Sequence, residues 1–169
     1  KVLRGWVEQV ALSLVELGIG EGDVVSLSIV NGIEFVVGFL AITWVRAAAA
    51  PLNPAYTPEE VAFYLDDTRS KGLLVRPEDD TRVARGAAAA LGVPLLELRR
   101  LRHIGQRVQL RALFTPPIVR TAAAGARLAR PDDVALILHT SGTTSRPKGE
   151  TDARMRRSGL RLCSTGGGF

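Results

Sequence analysis

The apolar positions of the first thirty residues follow two different periods. Leu3, Val7, Val10, Ala11, Leu14 and Val15 recur three and four apart, the spacing that lines one face of a helix. Gly18 supplies a stop, and Gly20-Glu21-Gly22-Asp23 reads as a turn. From Val24 to Val30 the residues are mostly apolar and β-prone, as in a strand covered on both faces. Asn31 stands at a helix start, with Glu34 three positions on, where a capping box places its acid. This second helix is expected to run through Phe35, Phe39, Ile42 and Trp44 to the alanines near 50, where Pro51 ends it.

Thr57-Pro58-Glu59-Glu60 is the clearest helix start in the chain: a threonine cap, proline at the first helical position and a glutamate at the third. Gly72-Leu73-Leu74-Val75 reads as a short strand, residues 79–92 as an alanine-rich helix stopped by Gly92, and Pro94 to Leu98 as another strand. Between about 99 and 130 the periodicity is weak and arginines are many, which reads as irregular connection with room for one helix. Val134 to Leu138 is a buried-type strand running straight into a polar loop. Strands alternating with helices imply an α/β fold, a mostly parallel sheet with helices on both faces. Such sheets bind ligands beyond the carboxyl ends of their strands, and the loop after Leu138 is expected there.

Composition narrows the function classes. The 169 residues are 46% hydrophobic and 23% charged, an ordinary globular mix. The most apolar stretch, Phe35 to Val45, is far shorter than the roughly 20 residues that cross a bilayer, and Lys1-Val2-Leu3-Arg4 opens directly into an amphipathic pattern with no secretory signal. Cys163 is the sole cysteine and His103 and His139 the two histidines, so neither an internal disulfide nor a zinc cluster is expected. A reducing compartment, the cytoplasm, is the default expectation. The net charge of +5 conceals a split. Residues 1–75 carry five basic and nine acidic groups, a net of −4, and residues 76–169 carry seventeen and eight, a net of +9. That arginine excess raises nucleic acid as a partner. Only Phe114 and Phe169 interleave with those arginines, so a base-stacking surface finds little support.

The chemistry is concentrated in His139-Thr140-Ser141-Gly142-Thr143-Thr144-Ser145-Arg146-Pro147-Lys148-Gly149, which puts five hydroxyls, two glycines and a lysine into eleven residues. Glycine lets backbone amides approach a ligand closely. The hydroxyls of Thr140, Ser141, Thr143 and Thr144 can donate to phosphate oxygens, and Lys148 adds positive charge, the parts of a polyphosphate cradle. It is not a Walker A loop, which needs glycine before the lysine and Ser/Thr after it, where Pro147 and Gly149 stand. On composition alone a plain Ser/Thr/Gly turn explains the segment equally well.

The string resembles the signature loop of the adenylate-forming (AMP-binding) acyl-CoA synthetase superfamily, T-S-G-T-T-G-x-P-K-G. The resemblance extends to Leu17-Gly18-Ile19-Gly20-Glu21-Gly22-Asp23-Val24, to Pro51-Leu52-Asn53-Pro54-Ala55-Tyr56-Thr57 and to the segment from Glu59 to Asp67. Together it covers most of residues 5–78 and 131–149. Ser145-Arg146, where most members carry glycine and another residue, looks like the oxalate–CoA ligase branch. The resemblance implies a partial N-terminal subdomain, residues 1–149, of an AMP-forming acid–CoA ligase. Its substrates would be ATP with Mg2+, a carboxylic acid such as oxalate or another small acid, and coenzyme A. The acid would attack the α-phosphate to give an acyl-adenylate and pyrophosphate, and the thiol of coenzyme A would then displace AMP. Nucleotide-binding residues carried over one by one are Thr140, Ser141, Gly142, Thr143, Thr144 and Lys148, whereas Arg146 is expected to face solvent. His139 is expected to be a satisfied strand-end histidine sooner than a nucleotide contact.

After Gly149 the pattern departs from the family, whose chain normally continues with an aliphatic residue and a turn into a long helix. Residues 150–169 show no apolar period and are expected to be a disordered, non-family tail left by a truncated gene model, a frameshift or a retained intron. The adenine-, ribose- and magnesium-orienting residues and the catalytic lysine of the resembled enzymes lie further on, so no catalytic and no metal-ligating residue is assigned within these 169 residues. The chain by itself is expected to be inactive. The alternatives are a non-catalytic nucleotide- or partner-binding fragment and, less supported, a basic nucleic-acid binder. Peroxisomal residence is open to the family, but Gly167-Gly168-Phe169 is not a terminal Ser-Lys-Leu address.

Overall fold

The computed structural model describes residues 1–101, 107–114, 129–140, 148–149 and 161–163. The first helix, α1 (Val2–Glu16), buries Val7, Val10, Ala11 and Leu14. Gly18 follows at φ 76°, in the left-handed region that glycine enters without a Cβ penalty. The Ile19 amide donates back to the Leu14 carbonyl at 2.9 Å, which turns the chain into β1 (Val24–Ser28).

Two expectations for the next segment are corrected. Helix α2 spans Ile33–Trp44, and Gly32, not Asn31, is its cap, with no side-chain capping bond. Glu34 therefore closes no capping box; its carboxylate lies 3.6 Å from the Arg76 guanidinium. The alanines near 50 are not helical either. Arg46 takes φ 65° and breaks the helix, and Ala48–Pro51 forms β2, paired in parallel with β1 from Val24↔Ala48 to Leu27↔Pro51. Alanine's helix preference is under 1 kcal/mol per residue, and the pairing of a central strand overrides it.

Helix α3 (Pro58–Asp67) starts as the sequence implies. The Glu60 amide donates to Thr57 Oγ1 at 3.3 Å, and the Thr57 amide donates to Glu60 Oε2 at 2.9 Å. There follow β3 (Gly72–Val75), α4 (Arg82–Leu91), with Gly92 at φ 66° as its stop, and β4 (Leu95–Leu101). The stretch expected to be irregular instead holds the end of β4 and a strand, β5 (Arg107–Phe114), antiparallel to it from Leu95↔Phe114 to Leu101↔Arg107. Leu96, Leu98, Val108 and Leu110 are buried on one face and Glu97, Arg99, Gln109 and Arg111 alternate with them; that period of two was masked by the polar and charged residues. Strand β6 (Val134–Ile137) is as expected. Arg161–Cys163, within the expected tail, forms a short strand, β9, beside β6.

Among the described residues the main sheet has seven strands in the order β5-β4-β3-β1-β2-β6-β9, parallel except for the β4–β5 pair. The chain steps from β1 to β2 in one direction, then back past β1 to β3 and β4. Right-handed crossovers place helices on opposite faces when that direction reverses. Accordingly α1 and α2 pack with Leu27, Leu74, Leu96 and Leu98 on one face, while α3 and α4 pack with Leu73, Val75 and Leu95 on the other. In this order the switch point falls between β1 and β3, whose following helices, α2 and α4, leave to opposite faces and in opposite directions. Strand β6 lies next to β2. No helix among the described residues is long and apolar enough to cross a membrane.

Candidate phosphate-binding site

The site is built on the exit of β6. Past Leu138 the chain enters a second, two-stranded antiparallel sheet of β7 (His139–Thr140) and β8 (Lys148–Gly149). Its register sets His139 opposite Gly149 and Thr140 opposite Lys148. The first and last of the expected nucleotide-binding residues are thus brought together as a cross-strand pair at the mouth of the loop. Ser141, Gly142, Thr143 and Thr144, like Arg146, lie outside the described residues.

What holds this pair against the domain is legible in its first residue. The His139 side chain is 4% exposed. Its ring packs on Tyr64 of α3, with centroids 4.5 Å apart, and Nε2 lies 3.1 Å from Asp67 Oδ2 at the end of the same helix. Nδ1 is buried and has no hydrogen-bond partner among the described residues. Tyr64 is itself packed against Tyr56, centroids 5.0 Å apart. Burial above all, then the Tyr56 hydroxyl, pushes the Tyr64 phenol up to about 12, so it stays neutral beside the imidazole at any ordinary pH. Tyr56 comes from the β2–α3 connection, where Asn53 Oδ1 accepts from the Ala55 amide at 3.0 Å and shapes the turn.

The entry to β6 is fixed as firmly. Arg46, at the end of α2, donates from Nε to Asp133 Oδ2 and from Nη2 to Asp133 Oδ1, both at 2.8 Å. This two-pronged fork is extended by Glu21, whose Oε1 accepts from Nη2 at 2.7 Å. The Arg130 amide also donates to Asp133 at 2.7 Å. Hydrogen bonding to Arg46 is the chief reason the Asp133 carboxyl is held down at about 2. Sequence reasoning missed both anchors, because Asp67 and Arg46 stand 72 and 87 positions from their partners.

Other concavities lie elsewhere. A groove of about 580 Å³ between α1 and α2 is lined by Leu3, Val7, Leu40 and Trp44, and one of about 390 Å³ adjoins Glu21, Arg46 and Asp133 at the start of β6. Among the described residues no three His, Cys, Asp or Glu side chains gather as metal ligands.

Fold and loop together define the class, a parallel α/β domain of adenylate-forming type. Residues 2–150 match the model of the AMP-binding enzyme family, and the chain belongs to that family. It is 46% identical over 153 residues to a probable CoA ligase of Humulus lupulus, covering 87% of this chain and 27% of that protein. It is 44% identical over 148 residues to the oxalate–CoA ligase of Arabidopsis thaliana, covering 87% and 28%. Among solved structures, ATP-bound MatB from Rhodopseudomonas palustris superposes with a TM-score of 0.63 at 31% identity, over 87% of this chain and 28% of that one. An anthranilate CoA ligase in complex with anthranoyl-AMP shares the fold at a TM-score of 0.64 and 22% identity, over 86% and 27%. The chain therefore spans about a quarter of the length of these relatives.

Proposed function

We propose that this chain supplies the triphosphate grip of an AMP-forming acid–CoA ligase. The reaction would convert ATP, a small carboxylic acid and coenzyme A to an acyl-CoA, AMP and pyrophosphate. The observation that carries the reading is the register of β7 and β8, which sets Thr140 against Lys148 at the mouth of a loop rich in hydroxyls and glycine. Thr140, Ser141, Thr143 and Thr144 would donate to the β- and γ-phosphate oxygens, Gly142 would let the backbone close in, and Lys148 would offset charge gathering on departing pyrophosphate. Donors aimed at developing charge are the strongest single contribution such a site makes. Magnesium would arrive on the triphosphate, since Mg2+ is usually bound through substrate phosphates with few protein ligands.

Oxalate is the acid favoured by the Arabidopsis relative and by the oxalate–CoA ligase of Saccharomyces cerevisiae, 39% identical over 144 residues. In this reading the 169-residue chain grips phosphate without carrying adenylation through by itself, and ATP–pyrophosphate exchange by the purified chain would contradict that part. The grip is tested by thermal shift with Mg-ATP on the chain and on Lys148→Ala. Mg-ATP should raise the unfolding temperature of the parent and not of the variant. Equal shifts in both would remove Lys148 from the site, and no shift in either would remove the grip.

A further inference from the structure

The buried imidazole at the base of the loop has a property that simple filling does not explain. Asp67 Oδ2 accepts, so in the neutral ring the His139 proton sits on Nε2 and Nδ1 carries a lone pair. That lone pair is buried without a partner among the described residues, a cost that phenylalanine, with nearly the same ring, would avoid. The ring contact with Tyr64 needs only an aromatic face. What phenylalanine cannot supply is the donor to Asp67, a directional bond between the first residue of β7 and the last residue of α3.

We propose that His139 is a positioning residue. Its Nε2–H bond to Asp67 and its contact with Tyr64 fix β7 on α3, and thereby set where the Thr140–Lys148 pair opens. The geometric half stands on the packing alone; the consequence for nucleotide rests on the phosphate-grip reading above. The bond orients the strand and takes no part in chemistry. Asp67 is suited to this because its side chain is 37% exposed, so its own removal empties no core. The position favours histidine over a better-packing ring because it must be aimed as well as filled.

The test uses the full chain, the single variants His139→Phe, His139→Gln and Asp67→Ala, and the double variant of His139→Phe with Asp67→Ala. Long-range nitrogen–proton NMR of the imidazoles, with His103 the only other histidine, should show His139 with Nε2 protonated and Nδ1 bare. His139→Phe should unfold at or above the parent's temperature, yet exchange the amide hydrogens of 139–140 and 148–149 about tenfold faster, an opening readable residue by residue. Its Mg-ATP dissociation constant should rise about tenfold. His139→Gln, which keeps a side-chain donor, should recover part of both losses, and Asp67→Ala combined with His139→Phe should do no more than His139→Phe alone. Parent-like exchange in His139→Phe, or a proton on Nδ1, overturns the proposal. Should the parent bind no Mg-ATP, the grip reading fails, and the exchange rates and tautomer still decide whether His139 positions the strand.

Discussion

Replacing Asp133 by asparagine tests how much of the site's placement depends on one ion pair. Asp133 accepts both prongs of the Arg46 fork at 2.8 Å and the Arg130 amide at 2.7 Å, and its side chain is only 15% exposed. The pair therefore escapes most of the screening that renders surface ion pairs weak. With the carboxyl lowered from 3.8 to about 2, linkage assigns it on the order of 2 kcal/mol of stability. The folded state holds the carboxyl below its unfolded value. The contribution is therefore complete above about pH 4 and is lost as the pH falls through about 2. Asp133→Asn should cost on the order of 2 kcal/mol at pH 7, a drop of about 4–8 °C in unfolding temperature for a domain of this size.

Urea unfolding followed by circular dichroism at pH 7, 4 and 2 gives the check. Parent and variant should differ at pH 7 and 4 and converge toward pH 2. The comparison has to be between the two proteins, because Asp80, bonded to exposed Arg82, is also lowered to about 2 and titrates in the same window in both. A difference that persists undiminished at pH 2, or no difference at pH 7, refutes the assignment.

Two further substitutions examine the scaffold. A methyl group at Gly38 would stand 2.7 Å from Leu74 Cδ2, and Leu74 is fully buried, so its side chain would have to shift within a packed core. A helix gain of about 1 kcal/mol is thus set against an overpacking cost of about 1–3 kcal/mol. Gly38→Ala should come out neutral to about 2 kcal/mol less stable in urea, and a more stable variant would show that the α2–sheet interface yields. Thr57→Ala removes both the cap bond at 3.3 Å and its part in the box, and should cost about 1 kcal/mol by the same measurement; no loss would mean that Pro58 alone starts α3.

What the sequence could say depended on the range of the interactions involved. Caps, stops and periods are local, so α1, α3, β1, β3 and β6 were legible from Leu3 to Val15, from Thr57-Pro58-Glu59-Glu60 and from short apolar runs. Ala48, Ala49 and Ala50 misled because alanine favours a helix wherever nothing else intervenes, and here partners on both sides intervene, β1 and β6. Asn31 misled because its residue type and its spacing to Glu34 fit a capping box, while Glu34 is drawn to Arg76, 42 positions on. The loop's residue types were legible as a string, whereas the cross-strand pairing of Thr140 with Lys148 and the seat of His139 on α3 belong to the fold.

The two anchors solve a common difficulty. Strand β6 is four residues long, pairs with β2 through Ala49↔Leu136, and packs in a small cluster with Ala48 and Ala50. Such thin apolar contact cannot fix the strand's direction, since burial is non-directional and scales with area. The ladders to β2 and β9 supply part of that direction, and polar bonds at its two ends add to it, Arg46 to Asp133 where it begins and Asp67 to His139 just after it ends. The donor at the start comes from the end of α2 and the acceptor at the finish from the end of α3, helices on opposite faces of the sheet. The two pairs share no residue, so their losses should add within about 0.5 kcal/mol if β6 is simply pinned twice. Urea unfolding of Asp133→Asn, Asp67→Ala and the double variant measures this. A double variant much less stable than the sum would instead show that each anchor depends on the other through the strand between them.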